Sequence, residues 1–222
     1  MKIYAVKNDK QYTIDSTKKH MEQVSNNIKD FIEKIKNNLN NKENKKQKIL
    51  IEKLNYRANN HDKSKLEEKE FPYFAEFTPK LENCTYGSDE YKEFLKGLKP
   101  ALDHHYSVNS HHPEFHKNGI NDMSIVDIIE MYCDWCAAVK RHKDGNILKS
   151  ININKNRFKI SDQLTKILEN STNNTKNTKN ENNNNLVKEL NLVDLINLYI
   201  NEKLIKNLDS DLDKQIIAIL NN

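Results

Sequence analysis

The sequence contains few of the residues that form tight turns and disulfides. Its 222 residues include only four glycines, four prolines and three cysteines. A β-sandwich or β-barrel needs many turns, so the scarcity of glycine and proline disfavours an all-β fold. An odd number of cysteines cannot pair into a complete disulfide framework. The composition therefore predicts a mostly helical, all-α protein that does not depend on disulfides.

Long apolar runs and an excess of one charge are also absent. Apolar residues make up 36% of the chain, and no run approaches the roughly 18 residues that a membrane helix needs. The 36 basic side chains oppose 32 acidic ones, a balance that does not mark a dedicated nucleic-acid-binding protein. The start, MKIYAVKNDK, lacks the apolar stretch of a secretory signal. We therefore expect a cytoplasmic protein without membrane contact.

Apolar residues recur at three- and four-residue steps in several stretches, which is the pattern of amphipathic helices. One such stretch predicts a helix over residues 16–37, and the most apolar one predicts a helix over residues 124–142. A later tract consists almost entirely of Asn, Thr and Lys, which predicts disorder. The predicted parts are an N-terminal arm (1–11), a helical domain (12–170), the Asn-rich linker (171–185) and a C-terminal helical hairpin (186–222). We expect the hairpin to pack on the domain or to mediate self-association.

Histidines suggest a metal site, because five of the eight lie within residues 102–116. Neutral imidazole and carboxylate are ligands for divalent ions, and facing helices can bring several of them together. His20 and His61 lie on helical stripes that otherwise point into the core. A polar helix surface facing the solvent is the competing interpretation of the clustered histidines. For His116 and His142, near helix ends or in loops, a surface position is expected.

Helical spacing limits which of the clustered histidines can share an ion. The pattern predicts one helix from about Pro100 to Pro113 that carries His104 with His111 and His105 with His112. Residues seven apart on a helix lie on one face, but about 10.5 Å apart along the axis. We therefore do not expect both members of either pair to bind the same ion.

The apolar helix over residues 124–142 carries acids on a single stripe. Ser124 followed by Asp127 fits a capping box, with Asp in place of the usual Glu. Glu130 and Asp134 are then expected on the solvent-facing side of the helix. Lys65 follows His61 by about one helical turn and can reach an anion bound there. The chain has no glycine-rich phosphate loop and no G-x-S-x-G motif, which disfavours kinase and α/β-hydrolase chemistry.

Four segments of residues 17–170 resemble a known family: RANNHDKSK, YGSDEYKEFLKGLKPALDHHYSVNSHHPEF, NGINDMSIVDIIEMYCDWCAAVKRH and INKNRFKISDQL. They are similar to an uncharacterised family of phage and bacterial proteins, domain of unknown function 5662. That family in turn resembles the HD-domain superfamily of all-helical, metal-dependent phosphohydrolases, which is named for an adjacent His-Asp pair. The resemblance implies an HD-like helical bundle.

The resemblance also implies a set of site residues. One metal ion is expected on a histidine of the first helix, the His-Asp pair and a late aspartate, which correspond to His20, His61, Asp62 and Asp134. Asp127 is the alternative late ligand. HDKSK is similar to the frequent HD-x-G-K pattern, with Ser64 in place of glycine, and this makes Lys65 the phosphate-facing lysine. Glu130, one turn before Asp134, is a supporting group or a base.

Superfamily members that hold two metals use additional histidines between the His-Asp pair and the last aspartate. The resemblance therefore implies that His104 or His105, together with His111 or His112, holds a second ion. The expected cofactor is one or two divalent ions among Mn, Fe, Zn, Co and Mg. The expected activity is hydrolysis of a nucleotide or another small phosphoester. A di-iron oxygenase of HD type and a non-catalytic, metal-stabilised binding protein are the alternatives.

Overall fold

The structure is a computed structural model that describes residues 6–37, 45–82, 88–141, 145–172, 190–200 and 214–222. Within these ranges it contains helices and no strand, which confirms the predicted all-α fold. The helices are α1 (Val6–Asn37), α2 (Lys45–Asn60), α3 (Phe71–Glu82), α4 (Asp89–Val108), α5 (Ile125–Val139), α6 (Ile147–Phe158), α7 (Asp162–Thr172), α8 (Leu192–Ile200) and α9 (Lys214–Asn221). Short 3₁₀ turns lie at Lys63–Leu66, Pro113–Phe115 and Gly119–Asp122. None of the described helices is both long and apolar enough to cross a membrane.

Helix α1 is longer than the apolar pattern predicts. It begins at Val6 and therefore includes the end of the predicted N-terminal arm. Its buried face extends from the apolar residues toward the N-terminus through three polar positions at helical spacing: Thr13, Thr17 and His20. The apolar pattern places His20 on this face, one turn before Val24, but it does not extend to Thr13 and Thr17, whose side chains are not hydrophobic.

Helix α5 runs through the middle of the core. The Ser124 hydroxyl accepts the backbone N–H of Asp127, and the Asp127 carboxylate accepts the backbone N–H of Ser124, so the predicted capping box is present. Most of the α5 side chains are buried, and the helix packs against α1, α2 and α6. Because α1 and α2 also pack against each other, α1, α2 and α5 together form the frame that holds the site.

Helix α4 ends earlier than predicted. It begins at its N-cap Ser88, whose hydroxyl accepts the backbone N–H of Tyr91, and it ends at Val108 because Asn109 adopts an extended conformation. His112 is also extended, which is the conformation that a following proline imposes. The chain between Asn109 and His112 is therefore a turn, and the prediction that the helix continues to Pro113 is wrong.

The two C-terminal helices contribute to the same core as the rest of the chain. Helix α8 packs against α1 and α7, and α9 packs against α7 and the 3₁₀ turn at Gly119–Asp122. Their buried side chains in this core are Leu192, Leu195, Ile196, Ile200, Ile216, Ile219 and Leu220. Packing on the domain was one of the two outcomes expected for the hairpin. Most of the predicted linker lies outside the described residues, and the division into domains stays a prediction.

Candidate metal centre

The candidate metal centre is built around the end of α2, where the chain makes a left-handed turn. The helix ends at Asn60, and Asp62 adopts φ 55° and ψ 18°. This region of φ and ψ is uncommon for residues other than glycine, although Asp is among the more tolerant ones. At this turn the side chains of His61 and Asp62 are both buried: His61 is 2% exposed and Asp62 is 0% exposed.

A first group of ligand atoms surrounds one oxygen of the Asp62 carboxylate. Asp62 Oδ2 lies 3.3 Å from His61 Nε2 and 3.7 Å from His20 Nε2. Asp134 Oδ1 lies 2.8 Å from His20 Nε2 and 3.8 Å from His61 Nε2. One ligand atom from each of these four residues lies within 4.8 Å of the others. The structure thus brings together the four residues that were predicted to hold the first ion, although they lie on α1, directly after α2 and on α5.

A second group surrounds the other oxygen of the same carboxylate. Asp62 Oδ1 lies 3.2 Å from His105 Nε2 and 3.5 Å from His111 Nε2. The Nε2 atoms of His105 and His112 are 3.0 Å apart. These four residues again offer ligand atoms within 4.8 Å of one another. Asp62 therefore belongs to both groups, with one oxygen directed at each.

The proximity of His105 and His112 corrects the argument from helical spacing. On a continuous helix, residues seven apart would be separated by about 10.5 Å. The turn after Val108 instead brings His112 back to His105. The expected separation of His105 and His112 is therefore wrong, and the argument against a shared ion no longer applies to this pair.

His104 belongs to neither group. Of the two adjacent histidines, His105 is the one that lies beside Asp62. Successive residues on a helix point about 100° apart, so two neighbours cannot both face one ion. The His104 ring is 23% exposed, and its Nδ1 lies 2.7 Å from Glu70 Oε1. His104 thus contacts the outer side of the carboxylate that supports His105.

Glu70 is a site residue that the sequence reasoning missed. It is 0% exposed, and its second oxygen lies 3.0 Å from His105 Nδ1, so the His105 ring is held with Nε2 toward Asp62. Carboxylates that accept a hydrogen bond from a metal-binding histidine orient the ring in many metal sites. Burial alone would raise the pKa of Glu70, but hydrogen bonds from His105 and His104 lower it overall. No motif surrounds Glu70, so only its position before an apolar helix could have drawn attention to it.

Glu130 is buried, so the prediction that it lies on the solvent-facing side of its helix is wrong. Its exposure is 2%. Glu130 Oε1 lies 2.9 Å from His61 Nδ1 and 3.4 Å from His111 Nδ1, while Oε2 accepts a 2.9 Å hydrogen bond from Arg57. Glu130 can complete a third ligand set with these two histidines. Both of its oxygens have partners, as in a group that orients rings, and the alternative that Glu130 acts as a base stays a prediction.

Asp127 and Asp134, the two alternatives for the late ligand, lie in different environments. Asp127 accepts hydrogen bonds from Ser124, Ser110 and Arg57. Burial would raise the pKa of Asp127, but these hydrogen bonds and the Arg57 charge lower it. Asp134 instead faces His20, its side chain is 16% exposed, and the expectation of a solvated surface is wrong for it.

The charges of the metal-free centre suit cation binding only in part, because nearby carboxylates, against the effect of burial, raise the pKa of His61 and of His105, and a charged imidazole must lose its proton before it can bind a metal. Burial opposes ionisation of Asp62, but the charges of His61 and Lys65 hold its pKa well below the usual value. Burial is also the largest influence on two histidines of the second group, and it lowers the pKa of His111 to about 3 and that of His112 to about 2. Ionised carboxylates and neutral imidazoles are the forms that bind metals.

Lys65 places a positive charge at the edge of the centre. Its Nζ lies 2.5 Å from Asp62 Oδ2, and the side chain is 21% exposed. The ammonium group also lies 5.7 Å from the centre of the Phe74 ring. Burial would lower the pKa of Lys65, but the carboxylates of Asp62 and Asp134 raise it overall. Lys65 therefore stays charged and is partly open to solvent.

Three buried atoms at Asp62 test whether the residues fit a metal. His61 Nε2, His111 Nε2 and Asp62 Oδ1 are buried and have no hydrogen-bond partner among the described residues. Leaving such groups unpaired costs free energy, and each one needs an explanation. A divalent cation in the first group would satisfy His61 Nε2, and one in the second group would satisfy His111 Nε2 and Asp62 Oδ1. Histidine with carboxylate is a donor set that Zn, Fe and Mn accept. The residues therefore fit a metal centre.

The remaining histidines lie apart from this centre. His116 Nε2 lies 2.8 Å from the backbone carbonyl oxygen of Ser110, which gives it a local structural partner. His116 is absent from every candidate metal group of the described residues. His142 lies outside the described residues, so its predicted surface position stays a prediction.

The fold and the site define an all-α protein in which two histidine–carboxylate groups share one aspartate. Residues 9–175 match a family of unknown function, DUF5662. The match covers most of the chain, which therefore belongs to this family, as the resemblance of its motifs predicted. No curated protein and no solved structure gives a significant match.

Proposed function

We propose that the protein is a metal-dependent phosphohydrolase of HD type that acts on a nucleotide or another small phosphoester. The observation that carries this proposal is the position of Asp62, whose two oxygens face separate histidine groups. A carboxylate shared in this way can hold two divalent ions side by side. Many phosphatases and nucleases use such a pair of ions.

Each ion has a distinct set of residues in this proposal. The first would be held by His20, His61, Asp62 and Asp134, and the second by Asp62, His105, His111 and His112. Bound divalent ions supply a water of lowered pKa and polarise the phosphoryl oxygen. The left-handed turn at Asp62 supports the arrangement, because it lets two adjacent residues point into one centre.

Lys65 is the group of the chain that favours a phosphorylated substrate. It is charged, partly exposed and within 2.5 Å of the shared carboxylate, so a phosphoryl group at the centre would lie within its reach. Its ammonium group can donate hydrogen bonds to phosphoryl oxygens and stabilise the charge that develops on them in the transition state. Burial of the metal-facing atoms keeps bulk water away from the same region.

The test combines metal analysis with a substrate panel. The purified full chain would be supplied with Mn, Co, Zn, Mg or Fe and assayed on nucleoside mono-, di- and triphosphates and on bis(p-nitrophenyl) phosphate. We expect turnover that a chelator and Asp62→Asn abolish. Lys65→Met should raise KM, and His116→Ala should leave turnover unchanged. Two bound ions without turnover on the whole panel would contradict the proposal and favour the metal-stabilised binding protein.

A di-iron oxygenase is the second candidate. The observation that favours it is the histidine-rich second group, in which three imidazoles surround one carboxylate oxygen, because imidazole is a good iron ligand. The protein would be loaded with Fe(II) without oxygen and then exposed to it. Oxygen uptake and a coloured product together with no phosphoester hydrolysis would support the oxygenase, whereas hydrolysis without oxygen uptake would exclude it.

A further inference from the structure

We infer that Arg57 is a positioning residue that connects the two ligand groups through Glu130 and holds the second group more strongly than the first. Arg57 is a residue of α2, one turn before His61, and in the described part of the chain its guanidinium bonds Glu130 and Asp127 rather than a member of the two ligand groups that share Asp62. The inference rests on the metal binding in the proposed function, but not on the reaction.

Arg57 joins two buried carboxylates. Its Nη1 donates a 2.9 Å hydrogen bond to Glu130 Oε2, and its Nη2 donates a 2.8 Å hydrogen bond to Asp127 Oδ1. The side chains of Glu130 and Asp127 are only 2% and 7% exposed, whereas Arg57 is 26% exposed. Two carboxylates one turn apart on α5 would repel each other at this burial without a cation between them. The planar guanidinium can serve both at once.

Glu130 transmits this contact to one histidine of each group. Its Oε1 lies beside the Nδ1 atoms of both His61 and His111. A hydrogen bond to Nδ1–H fixes the tautomer and the ring, which leaves Nε2 free as the ligand atom. Both Nε2 atoms are directed at Asp62, one toward each of its oxygens. Glu130 Oε1 thus forms a 2.9 Å hydrogen bond with His61 and lies 3.4 Å from His111 Nδ1, so one carboxylate contacts a histidine of each group.

The second group depends on Arg57 by an additional route. Asp127 Oδ1 accepts a 2.7 Å hydrogen bond from the Ser110 hydroxyl, and Ser110 immediately precedes His111 in the turn after α4. Arg57 thus supports this turn through both Asp127 and Glu130. His61 is additionally held by its backbone hydrogen bond to Arg57 at the end of α2. Loss of the Arg57 guanidinium should therefore disturb the second ion more than the first.

Arg57 is accessible for a test of this role. It lines a cavity of about 500 Å³ together with Lys53, Tyr56 and Phe115. Replacing Arg57 by Ala would open space on this cavity that free guanidinium can enter. Lys53 is a matched control, because it lies on the same helix, lines the same cavity and carries the same charge.

The experiment titrates the metal-depleted full chain with Co(II), followed by calorimetry and by the visible absorption of the bound ions. In the wild type we expect two ions. In Arg57→Ala the affinity for the second ion should fall by roughly 10- to 100-fold, as is typical when an outer partner of a ligand is removed, and the first should change less. Lys53→Ala should match the wild type. Arg57→Lys should recover only part of the affinity, because an ammonium group lacks the planar fork.

Chemical rescue separates positioning from a general loss of structure. Guanidinium chloride at tens of millimolar should restore the second ion and its absorption spectrum in Arg57→Ala, whereas equal NaCl or urea should not. Unchanged Co(II) affinities in Arg57→Ala would overturn the inference, as would a loss that guanidinium does not reverse. If Arg57→Ala does not fold, Arg57→Gln and its Co(II) titration replace it, with the same expected asymmetry. A wild type that binds no pair of ions would instead contradict the proposed function.

Discussion

The two ligand groups that share Asp62 differ in how the chain holds them. In the first group His20 and Asp134 lie on α1 and α5, and His61 directly follows α2. In the second group His111 and His112 belong to the turn after α4. A helix directs its side chains through its own backbone hydrogen bonds, whereas a turn depends on the contacts around it. The second group is therefore the one that needs support from other side chains.

That support is visible around the turn. Asn109 donates a hydrogen bond from its side chain to the Ser64 hydroxyl, Ser110 donates one to Asp127, and Glu70 holds the His105 ring. If the second group holds an ion, we therefore expect residues outside the ligand set to determine its affinity. Four predictions test this difference, beginning with the one that affects both groups.

The largest effect is expected from Asp62→Ala, because this substitution removes the ligand common to both groups. We expect the bound metal to fall from two ions to none, as measured by elemental analysis after gel filtration. The variant should also lose the stabilisation that metal confers on the wild type, about 2.7 kcal/mol at a hundredfold excess over the dissociation constant. His61→Ala should likewise abolish metal retention. Full retention of one ion by Asp62→Ala would mean that Asp62 does not serve both.

Substitution of one ligand from each group should separate the two ions. His20→Ala should lose the first ion and keep the second, whereas His112→Ala should keep the first, because neither residue belongs to the other group. Co(II) absorption and metal content would record which ion remains. Loss of both ions in each variant would show that the groups act as one unit, and the comparison would then fail.

His111 and His112 should make the metal-free protein sensitive to acid, whereas His105 of the same group, whose pKa is raised despite burial by its carboxylate neighbours, contributes in the opposite direction. In the folded chain the pKa of His111 is about 3 and that of His112 about 2, in each case chiefly because of burial. The unfolded chain takes up these protons near pH 6.5, so both contributions to stability are complete above that pH and are lost as the pH falls below it. Each of the two histidines lowers the free energy of unfolding by up to about 1.4 kcal/mol for every unit by which the pH falls.

Urea unfolding midpoints between pH 7 and pH 4.5, in the presence of a chelator, would measure this effect. The unfolding midpoint of the His112→Ala variant should depend less steeply on pH than that of the wild type, because one of the two histidines with lowered pKa is removed. Equal slopes in the variant and the wild type would contradict the assignment of the acid sensitivity to the second group.

The smallest effect on metal binding is expected at residues remote from Asp62. His116→Ala should leave the affinity for both ions nearly unchanged, and we expect the same of His142→Ala. Leu195→Ala provides a control for stability: this side chain is 0% exposed in the core, so its truncation should cost about 2–5 kcal/mol while both ions remain bound. Thermal melts with and without chelator distinguish the two kinds of effect. A metal loss in Leu195→Ala comparable to that in His20→Ala would show that metal content merely reports stability.

The buried positions of three residues of the first group could be predicted from local patterns, whereas the complete ligand set came from the family resemblance. His20 continues the buried stripe of α1, and His61 with Asp62 ends the buried face of α2. The family resemblance supplied Asp134, which periodicity alone placed on a solvated surface. Polar residues on the buried face of a helix follow the same period as apolar ones, so their direction can be predicted even when their partners cannot.

Periodicity failed where the chain leaves a helix or where a carboxylate is buried by residues distant in sequence. Whether α4 ends at Val108 or continues to Pro113 depends on the contacts that Asn109 finds on Ser64 and His105. The burial of Glu70 and Glu130 depends on the histidines and on Arg57, because an unpaired buried carboxylate would be too costly. None of these partners is near in sequence to the carboxylate that it contacts.

The sequence by itself determined that this protein is helical, which faces of α1 and α2 are buried and that a His-Asp pair follows α2, because backbone propensity and a repeat of 3.6 residues act over short distances. The tertiary structure alone decided that the two oxygens of Asp62 face different histidines, that His112 returns to His105 and that Arg57 joins two carboxylates of α5. Such contacts depend on how separate helices pack, and the hydrogen bonds and charges that decide them become strong only after the surrounding side chains exclude water.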